Sequence, residues 1–262
     1  MTTIDPPLVV TGFHRSGTSA AARLLSAAGL DMGRHLVGRR RSNPHGHFED
    51  AAVVALHDEA LAAAGRAWDT DDPSPVAPDA ALHDRMAAVA GERGVPWGFK
   101  DPRACFFFDA WAAVAGDVRV VVMYRPPRDA AASLLHREAR RIRSGQGDLT
   151  VARRLWADPS SALRSWLAHN RAILDFASRR PDAVLAMSFD SLGSGAPLVG
   201  RIEQRWGLGL RPTPTFSRVD PRWPGSGATG LRSLADHALD PELARVEAAL
   251  GALGSKTVVA GA

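Results

Sequence analysis

The chain has few of the residue types that declare a role at once. It carries one cysteine, Cys105, in 262 residues, which excludes an internal disulfide framework and a metal site built from several thiolates. It has only two lysines, Lys100 and Lys256, so nearly all of its 32 basic side chains are arginine. The pI of about 10.1 follows from that skew, because guanidinium stays charged to very high pH. The net charge is only +4 and no long basic run exists, the Arg39-Arg40-Arg41 triplet being the densest patch. A small anionic ligand is therefore expected ahead of nucleic acid. No apolar stretch is long enough for a membrane span. The opening MTTIDPPLVV lacks a basic segment followed by an apolar one, so no secretory leader is expected and a reduced, cytoplasmic setting is. Oligomeric state leaves no mark in the sequence.

At 45% hydrophobic and 23% charged residues, the composition is that of an ordinary folded protein with room for a sizeable core. No composition break divides it, so one domain over residues 1–262 is expected. Leu8-Val9-Val10-Thr11 is a short apolar run suited to a buried strand, and Gly12 to Gly17 form a turn. Ala21, Leu24, Leu25 and Ala28 then recur at helical spacing before Gly29. Further strands are expected at Trp97-Gly98-Phe99-Lys100, at Arg119 to Tyr124 (RVVVMY) and at Ala183 to Met187. The second of these is a near-continuous apolar run, as a strand covered on both faces requires. Helices are expected over 51–64, 80–93 and 128–143, after Pro159, over 197–206 and from Asp240. Strands alternating with helices give an α/β fold: a three-layer sandwich with a central parallel sheet.

Between the first strand and first helix lies Gly12-Phe13-His14-Arg15-Ser16-Gly17-Thr18-Ser19. A strand, a glycine turn and a helix start make a phosphate loop: glycines let the backbone approach an anion, and first-turn amides point at it. Thr18 and Ser19 add hydroxyls and Arg15 a cationic fork. The nucleotide-triphosphatase pattern has a lysine where Thr18 stands, so the group that reaches a β/γ-phosphate is absent from that place. The bland alternative is a helix start capped by Ser16 or Thr18.

This loop resembles the 5′-phosphosulfate loop of sulfotransferases that use 3′-phosphoadenosine 5′-phosphosulfate (PAPS). A second segment agrees: Arg125-Pro126-Pro127 follows the RVVVMY strand and Ser133-Leu134 lies in the next helix, which resembles the family's 3′-phosphate motif. A third, Gly98-Phe99-Lys100-Asp101-Pro102-Arg103, is similar to the Lys-Asp-Pro segment of the bacterial and protein-tyrosine enzymes. The resemblance implies a P-loop-like fold and transfer of a sulfuryl group from PAPS to a small-molecule, carbohydrate or lipid hydroxyl, with PAP released and no metal required. It implies PAPS contacts from His14, Arg15, Ser16, Gly17, Thr18, Ser19, Arg125 and Ser133, with Lys100 and Arg15 at the reaction centre. Arg222, in a proline- and glycine-rich stretch from 208 to 230, or Arg232 at its end would add a 3′-phosphate contact. The rival is a P-loop kinase using ATP–Mg²⁺ on a small metabolite. The base is expected in Asn43-Pro44-His45-Gly46-His47-Phe48-Glu49-Asp50. Glu49 is the first choice by resemblance and His47 the competitor; acidic residues also favour helix starts without any catalysis. His45 and His47 alone are a poor zinc set. Trp68, Trp97, Trp111 and the Trp166-Leu167-Asn170 stripe are read as core first, and Cys105 as a buried thiol.

Overall fold

The structure, a computed structural model, describes residues 5–38, 46–145, 147–213 and 238–259. Its elements run β1 (Leu8–Thr11), α1 (Thr18–Ala27), α2 (Ala51–Ala63), α3 (Ala80–Gly91), β2 (Gly98–Lys100), α4 (Phe108–Ala115), β3 (Arg119–Tyr124) and α5 (Pro127–Ser144). They continue with α6 (Thr150–Ala157), α7 (Ser160–Arg179), β4 (Val184–Ser188), α8 (Phe189–Gly193), α9 (Leu198–Trp206) and α10 (Asp240–Val259). The four strands form one parallel sheet in the order β2-β1-β3-β4.

Two apolar layers explain why these strands are hydrophobic throughout. Val9, Phe99, Val120 and Val122 point into one core, which α2, α3, α4, α5 and α7 cover with Leu61, Met86, Trp111, Leu134 and Trp166. Val10, Val121 and Met123 point into the other, covered by α1 and α9 through Ala21, Leu25 and Ile202. A two-residue period within a continuous apolar run is the signature of a strand buried on both faces. The three-layer α/β expectation holds.

The strands sit within a residue or two of their expected places. Three helices were not anticipated: α4 (FDAWAAVA) and α6 (TVARRLWA), each eight residues long, and α8 (FDSLG), five. All three are short. Trp97, Trp111 and Trp166 are buried core residues, as are Leu167 and Asn170. Cys105 is buried, and burial pushes its thiol pKa well up.

The connections put the functional end of the sheet at one crevice. β1 is followed by α1 on one face, and its neighbour β3 by α5 on the other. Adjacent strands whose following helices diverge leave a cleft between their carboxyl ends, where open α/β sheets bind ligands.

Candidate active site

Gly12 begins the turn after β1 at φ 135°, and a Cβ there would fall 1.9 Å from the Met123 carbonyl oxygen. Only glycine lets β1 leave the sheet so close to β3. Gly17 ends the turn at φ 93°, where a Cβ would meet the Phe189 ring at 2.5 Å. Gly17 is itself the cap of α1 and no side chain caps it, so the capped-helix alternative built on Ser16 or Thr18 is not what forms. Ser16 is instead buried, and its hydroxyl has no hydrogen-bond partner. A buried hydroxyl beside uncapped helical amides is a donor set for an external anion.

Arg15 adopts φ 71° and Phe48 φ 54°. These are the two non-glycine residues with left-handed backbone among the described residues; Arg15 lies in the turn after β1 and Phe48 immediately before Glu49. Such strain persists only where surrounding structure enforces it, and it concentrates at functional sites.

The two arginine motifs meet here. Arg15 Nε donates to Ser133 Oγ at 3.1 Å, across 118 residues of chain. The Arg125 guanidinium lies over the Phe189 ring at 5.1 Å, the same ring that abuts Gly17. Arg125 is buried and its carbonyl accepts from Trp166 Nε1 at 3.3 Å. Burial, with the nearby charges of Arg137, Arg140 and Arg125, lowers the Arg15 pKa to about 10, against a smaller opposing effect of Glu138. Arg15 is still a cation at neutral pH, but a crowded one.

The His14 ring is edge-on to Trp68 at 4.6 Å and lies 5.9 Å from His169. Burial first, then Arg137, His169 and Lys100, holds its pKa well below the usual histidine value. Its Nε2 is buried without a partner. Ser19 Oγ donates to the His47 carbonyl at 3.4 Å, so the loop and the 46–50 segment touch.

That segment is stitched in place. Val37 N donates to the Glu49 carbonyl at 2.7 Å and Ala51 N to the His35 carbonyl at 2.9 Å. Asp50 caps α2 by accepting from Ala52 N at 2.8 Å, and it also accepts from Arg34 N and pairs with Arg93 at 3.0 Å. The Glu49 side chain then reaches the end of β2, where Lys100 Nζ donates to Glu49 Oε1 at 2.5 Å. Their side chains are only 4% (Lys100) and 16% (Glu49) exposed, so water screens this pair weakly. Glu49 and Lys100 thus meet at the end of β2, His47 touches the loop through Ser19, and Arg15 reaches from the loop after β1 to Ser133 on α5. Thr18 is buried at the first position of α1.

Arg222, Arg232, His45, Asn43, Pro44 and the 39–41 triplet lie outside the described residues. The reading of the sequence missed His57, Asp58, Arg137 and Phe189. Phe189 gave no local signal, since its partners lie far off in sequence. His57 and Asp58 could have been found as part of the polar triplet His57-Asp58-Glu59 in the otherwise apolar run AAVVALHDEALAA. Among the described residues no helix is long and apolar enough to cross a membrane, and no cluster of three His, Cys, Asp or Glu side chains is placed to hold a metal ion.

No family model and no curated protein matches the chain. Solved structures do. The sulfotransferase from Alicyclobacillus acidocaldarius superposes with a TM-score of 0.52 at 18% identity, over 95% of this chain and 96% of that one. Sulfotransferase STF1 from Mycobacterium tuberculosis H37Rv gives 0.43 at 18% identity, over 78% and 68%. Sulfotransferase STF9 from Mycobacterium avium gives 0.46 at 18% identity, over 77% of this chain and 64%, less than two thirds, of its own. The end-to-end match with the first of these makes the fold of this chain that of a bacterial sulfotransferase.

Proposed function

We propose that this chain is a PAPS-dependent sulfotransferase acting on a hydroxyl of a small-molecule, carbohydrate or lipid acceptor, as a single domain. The observation that carries the reading is the bridge from Arg15 Nε to Ser133 Oγ, which joins a candidate 5′-phosphosulfate loop to a candidate 3′-phosphate motif at one crevice. The orphaned Ser16 hydroxyl and the uncapped start of α1 suit a ligand rich in anionic oxygens.

PAPS would bring an activated sulfuryl group. The amides after Gly17, with Ser16, Thr18, Ser19 and Arg15, would hold its 5′ end, with His14 shaping the loop. Arg125 and Ser133 would hold its 3′-phosphate. Glu49 would take the proton of the acceptor hydroxyl as that oxygen bonds to sulfur and the sulfur–phosphate oxygen bond breaks. Lys100 already occupies Glu49 Oε1, so Oε2 is the oxygen left for the proton. Lys100 and Arg15 would stabilise charge on the departing phosphate oxygen, the kind of preorganised assistance that dominates group transfer. Little else is asked of the protein beyond alignment.

Glu49 is favoured over His47 as the base because its carboxylate reaches Lys100. The kinase reading is not favoured. It needs a lysine within the loop to reach the triphosphate, and Thr18 stands in that place.

The test is release of PAP from PAPS in the presence of hydroxylated acceptors, followed in Glu49→Gln and His47→Ala. Glu49→Gln is expected to lose turnover by ~10²–10⁴-fold while PAP affinity stays within about twofold; His47→Ala is expected to lose much less. The reverse order would make His47 the base. Phosphoryl transfer from ATP–Mg²⁺ with no turnover of PAPS would replace the reading altogether.

A further inference from the structure

Three ties run in order between the segment that enters α2 and the segment that leaves β2. Glu49 pairs with Lys100. Two helical turns further along, His57 Nδ1 lies 2.9 Å from Asp101 Oδ2. The next residue, Asp58, accepts from Arg103 Nη1. Two short stretches, 49–58 and 100–103, are thus joined at three points.

The middle tie is fully determined. Trp111 Nε1 donates to His57 Nε2 at 2.9 Å, so the His57 proton is on Nδ1 and is given to Asp101. Asp101 Oδ1 accepts from the amide and Nε of Arg103, and Oδ2 accepts from Arg103 Nη2 as well as from His57, each at 2.9 Å. The His57 ring stacks on Phe107 at 4.3 Å, 4° from parallel. Asp101 N donates to the Val10 carbonyl at 3.1 Å, which ties the same point to β1. His57 and Asp101 are both 0% exposed. Buried charged groups often add little net stability over apolar residues of similar size, and what they supply is direction. Apolar packing alone would let α2 rotate or slide; these bonds do not.

We propose that His57 and Asp58 are positioning residues, which clamp α2 to the end of β2 through Asp101 and Arg103 and so set where Glu49 stands relative to Lys100. This rests on the reading of Glu49 and Lys100 as the reacting pair. Neither His57 nor Asp58 needs to touch a substrate. A shift of about 1 Å in a catalytic group can cost ~10²-fold in rate, so the clamp acts on turnover and leaves donor affinity to the loop.

The sequence supplies a direct probe. Lys100 is one of two lysines, so lysine-selective isotope labelling gives two side-chain resonances, assigned with Lys256→Arg. Glu49→Gln marks where the Lys100 resonance goes when the pair is broken. His57→Phe keeps the stack on Phe107 and deletes the donor. His57→Asn returns a donor near Nδ1. Asp58→Ala deletes the outer tie at a side chain that is 56% exposed, where folding is not at risk. His57→Phe is expected to lower kcat by ~10–10²-fold with PAP affinity within about twofold, and to move the Lys100 resonance toward its position in Glu49→Gln. Asp58→Ala is expected to do the same to a lesser degree, and His57→Asn to recover most of the loss. Wild-type kcat and an unmoved Lys100 resonance in folded His57→Phe and Asp58→Ala would overturn the clamp. Should His57→Phe not fold, Asp58→Ala decides alone. Should the wild type transfer no sulfuryl group, the proposed function fails, and the resonance still decides the clamp, movement supporting it and constancy overturning it.

Discussion

The two halves of the crevice handle charge in opposite ways. At the β1 and β3 ends, Arg15 bonds to a neutral hydroxyl, and burial first, then the charges of Arg137, Arg140 and Arg125, depress its pKa to about 10, although Glu138 pairs with Arg137 and opposes the shift. At the β2 end each cation faces a carboxylate: Lys100 has Glu49, and Arg103 has Asp101 and Asp58. There the carboxylates raise the Arg103 pKa, against the opposing effect of burial, and Asp101 is driven well below the usual carboxylate range despite its burial, by Arg103 and His57. One half concentrates positive charge for an anion from outside. The other satisfies itself and holds a proton-accepting group in place.

The largest contrast is expected between Arg15→Leu and Arg103→Leu. Arg15→Leu should weaken PAP binding by ~10²-fold, the loss of a charge-assisted fork, with a melting temperature equal to or above wild type because a crowded cation is gone. Arg103→Leu leaves Asp101 buried without its main partner and should cost about 3–5 kcal/mol in chemical denaturation. Paired calorimetry and unfolding on both variants check this. Equal stability losses would erase the distinction between the halves.

A smaller effect of pH sharpens it. Burial lowers the His169 pKa to about 4, and burial also lowers His14 and His57. The unfolded chain binds these protons near the usual 6.5 while the folded chain does not. Stability is therefore complete above that value and falls as pH drops toward 4. His169 alone accounts for about 3 kcal/mol across this window, at 1.36 kcal/mol per unit. Urea unfolding at pH 7 and pH 4.5 should show that loss, and His169→Gln should flatten it; an unchanged slope would contradict the assignment. The smallest effect is expected from Ser133→Ala, about 1 kcal/mol or several-fold in PAP affinity, read by the same calorimetry.

Much of the cationic half was legible in the sequence, because its parts are local. A β-branched run, glycines at both ends of a turn and a hydroxyl pair at a helix start are neighbours in the chain, and each has a physical reason to be there. The fold followed from the same locality: RVVVMY could hardly be anything but a covered strand. The self-paired half was not legible. His57 and Asp101 are 44 residues apart and Asp58 and Arg103 45 apart, and no periodicity reports which polar groups meet across such a span. Lys100 and Glu49 were each singled out, but their pairing was not anticipated. α4 was missed because it is short and apolar except for Asp109, continuing the apolar run of Phe106 and Phe107.

The central claim is that the crevice grips an adenosine bisphosphate rather than a triphosphate, and titration calorimetry with PAP against ATP–Mg²⁺ tests it most directly. The account predicts tight binding of PAP that Arg15→Leu and Arg125→Gln both weaken, with ATP–Mg²⁺ at least ten-fold weaker. Preference for ATP–Mg²⁺, or PAP binding indifferent to both arginines, would contradict it.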